Sequence, residues 1–253
     1  MEGAMDAARR FFRLDLETKM RVRRRKMRDE CDDRDNDDDG GGGKGGGGGY
    51  QAELIELSDK LLLALGRSLN HDPNGPSGGG GAAVAEDYFV SRSRKPMCTL
   101  RLLHYPPVDD CDGGDGGASG SLGCGAHTDY GLFTILQQDS IGGLQVRNRG
   151  GRWIDAKPLK GSFVINVGDM LSRWTNSEYA STVHRVVSRG GDRYSVPFFF
   201  NPDFDAVVKP LRKEGLEESE RGPDDDGDGG GQTALEILKD RYNGTFTKIE
   251  MKS

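Results

Sequence analysis

The sequence predicts a mainly β protein with flanking helices. Three observations carry this reading. Between residues 99 and 200, short apolar segments recur with alternating character, separated by Gly and Pro. Segments with helical spacing lie only before and after that region. Strands and helices do not alternate, which argues against a parallel sheet wound with helices and leaves an all-β sandwich or barrel.

The elements follow in order. Residues 5–27 read as a helix, with Phe11, Phe12, Leu14 and Leu16 close together and a basic second half. Residues 28–49 are a charged, Gly-rich linker. Residues 52–69 form the clearest helix: Leu54, Leu57, Leu61 and Leu65 recur at three and four, and Leu62 and Leu69 widen the stripe. A Gly/Pro insertion follows at 71–81. Thr99–Tyr105 reads as a strand stopped by Pro106-Pro107, and Gly131–Gln138 as another. Gly143–Arg149 and Arg152–Ala156 flank Gly150-Gly151, a hairpin signal. Phe163–Val167 reads as a buried strand ended by Gly168-Asp169. Thr182–Ser188 and Arg193–Phe200 are two more strands, joined across Gly190-Gly191, and Thr233–Tyr242 is a closing helix.

Composition narrows the function classes. The chain has 253 residues, of which 34% are hydrophobic. Of its 39 glycines, 26 fall in four tracts at 40–49, 75–81, 113–125 and 222–231. Such tracts bury too little apolar surface to offset the entropy of ordering, so residues 32–49, 71–81, 111–123 and 222–231 are expected to lack regular structure. The remainder is long enough for a real core. A net charge of −6 argues against a nucleic-acid binder. The one basic cluster, Arg21 to Lys26, precedes the acidic run Asp32–Asp39 and reads as a solvated helix end. Cys31, Cys98, Cys111 and Cys124 form no C-X-X-C, so reduced cytosolic thiols are expected; a cytoplasmic monomer is the accompanying expectation. No apolar run reaches the length of a membrane span, and the charges within Met1–Leu16 leave no signal peptide visible.

The chemistry resides in His127-Thr128-Asp129, His184 and Arg193-Tyr194-Ser195. Side chains at i and i+2 of a strand share a face, so His127 and Asp129 should project together, with His184 completing a triangle from a neighbouring strand. Two imidazoles and one carboxylate leave open positions on an octahedral ion, as a non-heme Fe(II) oxygenase requires. Arg193 and Ser195 share a face by the same rule and suit a carboxylate: a planar fork and a hydroxyl. Tyr105 is a further candidate for that clamp, and Phe199, on the Arg193/Ser195 face, for the substrate pocket. Alone, each piece is commonplace. A His-X-Asp arises by chance, an Arg-X-Ser can be a cross-strand ion pair, and Tyr105 or Phe199 can simply pack.

In combination, LRLLHYPP, GAHTDYGLFTILQQD, GGLQV, WIDAKPL, VINVGDML, STVHRV and RYSVPFFFNP resemble the 2-oxoglutarate/Fe(II)-dependent dioxygenase family, in its isopenicillin N synthase-like branch. The likeness runs from about Leu100 to Leu211, with weaker similarity at DRYNGTF and at RFFRLDLETKMRVRR. It implies a double-stranded β-helix, or jelly roll. It makes His127, Asp129 and His184 the iron ligands and Arg193 and Ser195 the clamp for 2-oxoglutarate. Tyr105 matches an assisting Tyr; many members carry Asn where Leu103 stands here. The implied cofactors are Fe(II), 2-oxoglutarate and O2, with ascorbate as a reductant. The implied reaction hydroxylates or desaturates a small organic substrate and releases succinate and CO2. An Fe(II) oxidase that does not use 2-oxoglutarate, or a non-catalytic jelly-roll binding protein, would carry the same motifs. Three segments are expected: an N-terminal helical part at 1–84 that begins late relative to the family, a jelly-roll core at 85–211, and a linker with a closing helix at 212–253.

Overall fold

The computed structural model describes residues 2–15, 49–69, 84–107, 122–211 and 231–241. Its strands are β1 (Met97–Leu100), β2 (Leu103–Tyr105), β3 (Leu122–His127), β4 (Phe133–Gln138), β5 (Leu144–Arg147), β6 (Trp153–Asp155), β7 (Val164–Val167), β8 (His184–Val187), β9 (Arg193–Asn201), β10 (Val207–Val208) and β11 (Gln232–Thr233). The helices are α1 (Glu2–Arg13), α2 (Tyr50–Leu69), α3 (Asp169–Trp174) and α4 (234–241). One antiparallel sheet runs β1-β9-β4-β7, with β2 also on β9; a second runs β3-β8-β5-β6. This is the double-stranded β-helix.

Strand β9 organises the molecule because it is buried on both faces. Tyr194, Val196, Phe198 and Phe200 point to the helices, while Arg193, Ser195, Pro197 and Phe199 line an internal cavity. On the helical side, Phe198 and Phe200 meet Phe133, Ile135, Trp174, Phe89 and the α2 residues Leu54 and Leu62 in one core. Burying each such side chain contributes about 1.5–3 kcal/mol, which is why the leucine stripe of α2 holds the helix on the sheet. Close approach matters here as well. A Cβ on Gly66 would stand 2.3 Å from the carbonyl oxygen of Glu86, so only glycine lets α2 meet that segment.

Several expectations need correction. Helix α1 ends at Arg13 with Leu14 and Asp15 outside it, and residues 16–27 of the predicted 5–27 helix lie outside the described residues. The Thr99–Tyr105 strand is broken at Arg101-Leu102. Arg101 donates to the carbonyl of Pro197 at 3.0 Å, but Pro197 has no N–H to return, so the ladder lapses there. Val164–Val167 is an edge strand rather than a buried one: among the described strands it pairs only with β4, and Ile165 is 41% exposed. A strand was expected at His127–Asp129; it instead runs Leu122–His127, and its first residues fall in a tract expected to lack structure. Its side chains are mostly exposed, so it shows no apolar alternation; ladder bonds to β8, interrupted by register shifts, hold it. The remaining glycine tracts lie almost wholly outside the described residues. The Gly150-Gly151 hairpin forms between β5 and β6, with Gly151 at φ +77°. Among the described residues, no helix is long and apolar enough to cross a membrane.

Candidate active site

The second sheet brings the histidines together. His127 ends β3, His184 begins β8, and the two are directly paired across the ladder. Their ring centroids are 4.3 Å apart. His127 Nδ1 lies 2.8 Å from the Gly125 carbonyl, and His184 Nδ1 lies 2.9 Å from that of Thr182. A carbonyl can only accept, so each Nδ1 carries a proton; in the neutral ring this leaves Nε2 a lone pair. Both Nε2 atoms face the same carboxylate oxygen: Asp129 Oδ1 is 3.9 Å from His127 Nε2 and 3.7 Å from His184 Nε2. One ligand atom from each residue lies within 4.8 Å of the others. Ligands bound near 2 Å from one ion have this spacing.

Asp129 reaches this point by a route that differs from the i, i+2 rule. It is not in a strand, since β3 ends at His127. The chain turns, and the turn is held from three sides. Thr134 Oγ1 donates to Asp129 Oδ2 at 2.6 Å, which leaves Oδ1 for the imidazoles. The Asp169 backbone N–H donates to the Asp129 carbonyl at 2.8 Å, and Met170 N–H to that of Tyr130 at 3.2 Å. Gly168 packs so closely that a Cβ there would stand 2.2 Å from the Gly131 carbonyl oxygen. Unpaired N–H groups at the start of α3 thereby fix the ligand loop.

The Asp169 side chain extends this support. It accepts from Thr128 Oγ1 at 3.0 Å, from Ser181 Oγ at 2.5 Å and from the Arg241 guanidinium on α4. One carboxylate therefore ties the segments that carry His127 and His184 to α4. Sequence reasoning missed Asp169 and Thr134. The Gly168-Asp169 strand stop was the only signal of the former, and the latter sat unmarked in an apolar strand.

The His127 imidazole is pushed up to about 9, first by its hydrogen bond with Cys124 Sγ at 3.7 Å, then by the Gly125 carbonyl and the charge of Asp129, against burial. A ligating metal takes the place of the second proton, so metal binding releases it. Two neutral imidazoles and one carboxylate on one face fit a divalent ion of the Fe(II) type with positions to spare. Cys124 faces Nδ1 of His127, the side away from that centre.

The same cavity, about 500 Å³, holds the second group. It is lined by His127, Asp129 and His184 together with Tyr105, Arg193, Ser195 and Phe199. Arg193 is 3% exposed. Its Nε donates to the Gly142 carbonyl at 2.6 Å and its Nη1 to Ser195 Oγ at 3.4 Å. Its Nη2 is buried with no hydrogen-bond partner among the described residues. A buried guanidinium with an unused donor is costly unless an anion completes it. Burial lowers the Arg193 pKa, opposed by Tyr105 and Asp139. Tyr105 lies opposite Arg193 across the β2–β9 ladder, its ring 4.7 Å from the guanidinium carbon. Burial raises its pKa while the charge of Arg193 lowers it. Leu103 sits opposite Ser195 on the same face. Phe199 pairs with Thr134 across the β4–β9 ladder, and so lies at the ligand end of the cavity.

Comparison with known proteins agrees with this geometry. The family model of the 2OG-Fe(II) oxygenase superfamily matches residues 96–202. Homoarginine-6-hydroxylase of Glycine max is 39% identical over 158 residues, 62% of this chain and 44% of that protein. A 2-oxoglutarate-Fe(II) type oxidoreductase of Aspergillus fumigatus is 38% identical over 173 residues, 66% of this chain and 45% of that one. Among solved structures, a full-length Neurospora crassa protein in complex with alpha-KG and thymine superposes with a TM-score of 0.61 at 32% identity, covering 76% of this chain and 54% of that one. The chain spans less than half the length of these curated relatives. Motif order, fold and the pairing of His127 with His184 all point the same way as the family match: residues 96–202 are similar to the 2OG-Fe(II) oxygenase superfamily.

Proposed function

We propose that this chain carries an Fe(II)- and 2-oxoglutarate-dependent oxygenase that hydroxylates or desaturates a small organic substrate, releasing succinate and CO2. The observation that carries the reading is the meeting, in one cavity, of a three-ligand face with a buried arginine whose Nη2 lacks a partner. His127, Asp129 and His184 would hold Fe(II), which supplies the redox chemistry and O2 activation when bound. Arg193 and Ser195 would hold the distal carboxylate of 2-oxoglutarate. The Nη2 donor completes a bond to that carboxylate, and Nε on Gly142 keeps the fork from rotating away. Tyr105 shields the pair from water beneath the guanidinium, and Phe199 forms the apolar wall beside the ligand face. Thr134 and Asp169 hold Asp129 so that Oδ1 stays turned to the imidazoles. The reading includes a cytoplasmic monomer that works without nucleic acid or membrane and draws on ascorbate as reductant.

The test is succinate formation from 2-oxoglutarate with Fe(II), ascorbate and O2, with and without candidate substrates. Succinate that requires both Fe(II) and 2-oxoglutarate supports the reading. O2 consumption that proceeds without 2-oxoglutarate would instead make Arg193 the anchor for a substrate carboxylate, as in an Fe(II) oxidase.

A further inference from the structure

A second cavity of about 590 Å³ adjoins the ligand face, and none of the proposed clamp residues Arg193, Ser195 and Tyr105 lines it. His127 and Asp129 form part of its wall, so whatever fills it lies against the metal centre. Its volume falls in the ~300–1,000 Å³ range of sites that hold a small organic ligand. Much of the remaining wall is apolar: Phe199 and Met97 from the first sheet, Phe204 from the loop after it, and Leu235 and Leu238 from α4.

The charged residues decide the substrate class. Among the described residues of this wall, Arg101 and Lys239 are the lysine and arginine cations and Asp129 is the one acid. Once a divalent ion takes Asp129, every charged side chain left on the wall is positive. The guanidinium of Arg101 lies over the Phe199 ring, 5.2 Å from its centroid, and Arg101 lines both cavities. It has no acidic partner within ion-pair distance among the described residues. Stacking on an aromatic face restrains the guanidinium plane and leaves its N–H edge open to a planar bidentate acceptor. Arg101 shares a strand face with Thr99 and Leu103, which line the second and the first cavity respectively, and so stands at their junction.

Building on the oxygenase reading above, we propose that the second cavity receives the primary substrate, and that this substrate is a small amphipathic carboxylic acid. Its carboxylate pairs with the fork of Arg101, with Lys239 adding positive potential from α4. Its apolar body lies on Phe199, Phe204 and Leu238, which brings a C–H bond to the ligand face. A cationic substrate would meet two like charges at the same rim.

The test uses protein loaded with Co(II), which allows binding without turnover, and saturated with 2-oxoglutarate. Calorimetric titration compares a panel of aryl and alkyl carboxylates of six to fifteen carbons with their methyl esters and the matching amines. The expected result is at least one carboxylate that binds about tenfold or more tighter than its ester. Arg101→Gln should weaken that carboxylate about ten- to a hundred-fold, far more than it weakens 2-oxoglutarate; Arg101→Lys should restore part of the loss. The inference is overturned if no carboxylate out-binds its ester, if an amine binds best, or if Arg101→Gln leaves carboxylate affinity intact. Failure of the unsubstituted protein to take up Co(II) or 2-oxoglutarate would overturn the oxygenase reading along with it. Uptake of both without carboxylate preference overturns this inference alone.

Discussion

Replacing Arg193 by Lys keeps a positive charge in the cavity but removes the fork. The native guanidinium serves two directions at once: Nε is committed to the Gly142 carbonyl at 2.6 Å, while Nη2 is buried and unpartnered. A single ammonium cannot reach the Gly142 carbonyl and also meet a carboxylate in the plane that Nη2 occupies. A hydrogen bond to a charged group is worth about 1.5–3 kcal/mol. Its loss predicts a rise of roughly ten- to a hundred-fold in the dissociation constant for 2-oxoglutarate. The bond to Gly142 adds a stability cost of about 1 kcal/mol, because the turn at Gly142-Gly143, with φ of +80° and +90°, loses its anchor. Anaerobic calorimetry on Fe(II)-loaded protein reads the first effect and urea unfolding the second. Fe(II) affinity should stay the same, since Arg193 touches none of the three ligands. Unchanged 2-oxoglutarate affinity in the Lys variant, with the primary substrate weakened instead, would refute the clamp and favour an oxidase.

Three further expectations concern other links. Asp129→Ala should abolish Fe(II) binding in an equilibrium competition assay while far-UV circular dichroism stays native, because the carboxylate is the centre's one anionic ligand. Asp169→Asn should weaken the metal about tenfold or more, since outer partners of ligands typically matter to that degree; a lowered melting temperature with normal metal affinity would show that Asp169 only stabilises α4. Burial pushes the Tyr50 hydroxyl up to about 12 from its ordinary 10.0, with Glu53 adding, and the hydroxyl donates to Gln137 at 2.8 Å. A group raised in the fold lends stability in full below its unfolded value and loses it as pH rises through the folded one, so melting temperature should fall between pH 10 and 12, less steeply in Tyr50→Phe.

Much of this molecule is legible in its sequence. The leucine stripe of α2 and the Gly150-Gly151 hairpin follow from periodicity and turn chemistry, which are local. So does the grouping of Arg193, Ser195 and Phe199, because period two assigns a strand face without reference to any neighbour. The residue types at positions 127, 129 and 184 likewise suit a divalent metal; that they converge is shown by the fold. What the sequence could not supply is whatever depends on a partner distant in the chain. Strand β3 shows no apolar pattern, and its backbone bonds to β8 hold it beside its neighbour. Asp129 is placed by Thr134 and by the start of α3, forty residues away at Asp169. Val164–Val167 reads as buried by composition, but sheet order leaves it at an edge. Period two puts Arg101 on one face with Thr99 and Leu103, but that this face spans two cavities is visible only once β1 and β2 are laid on β9. Side-chain period is a property of the local chain; which polar groups meet is decided only when the sheets close on each other.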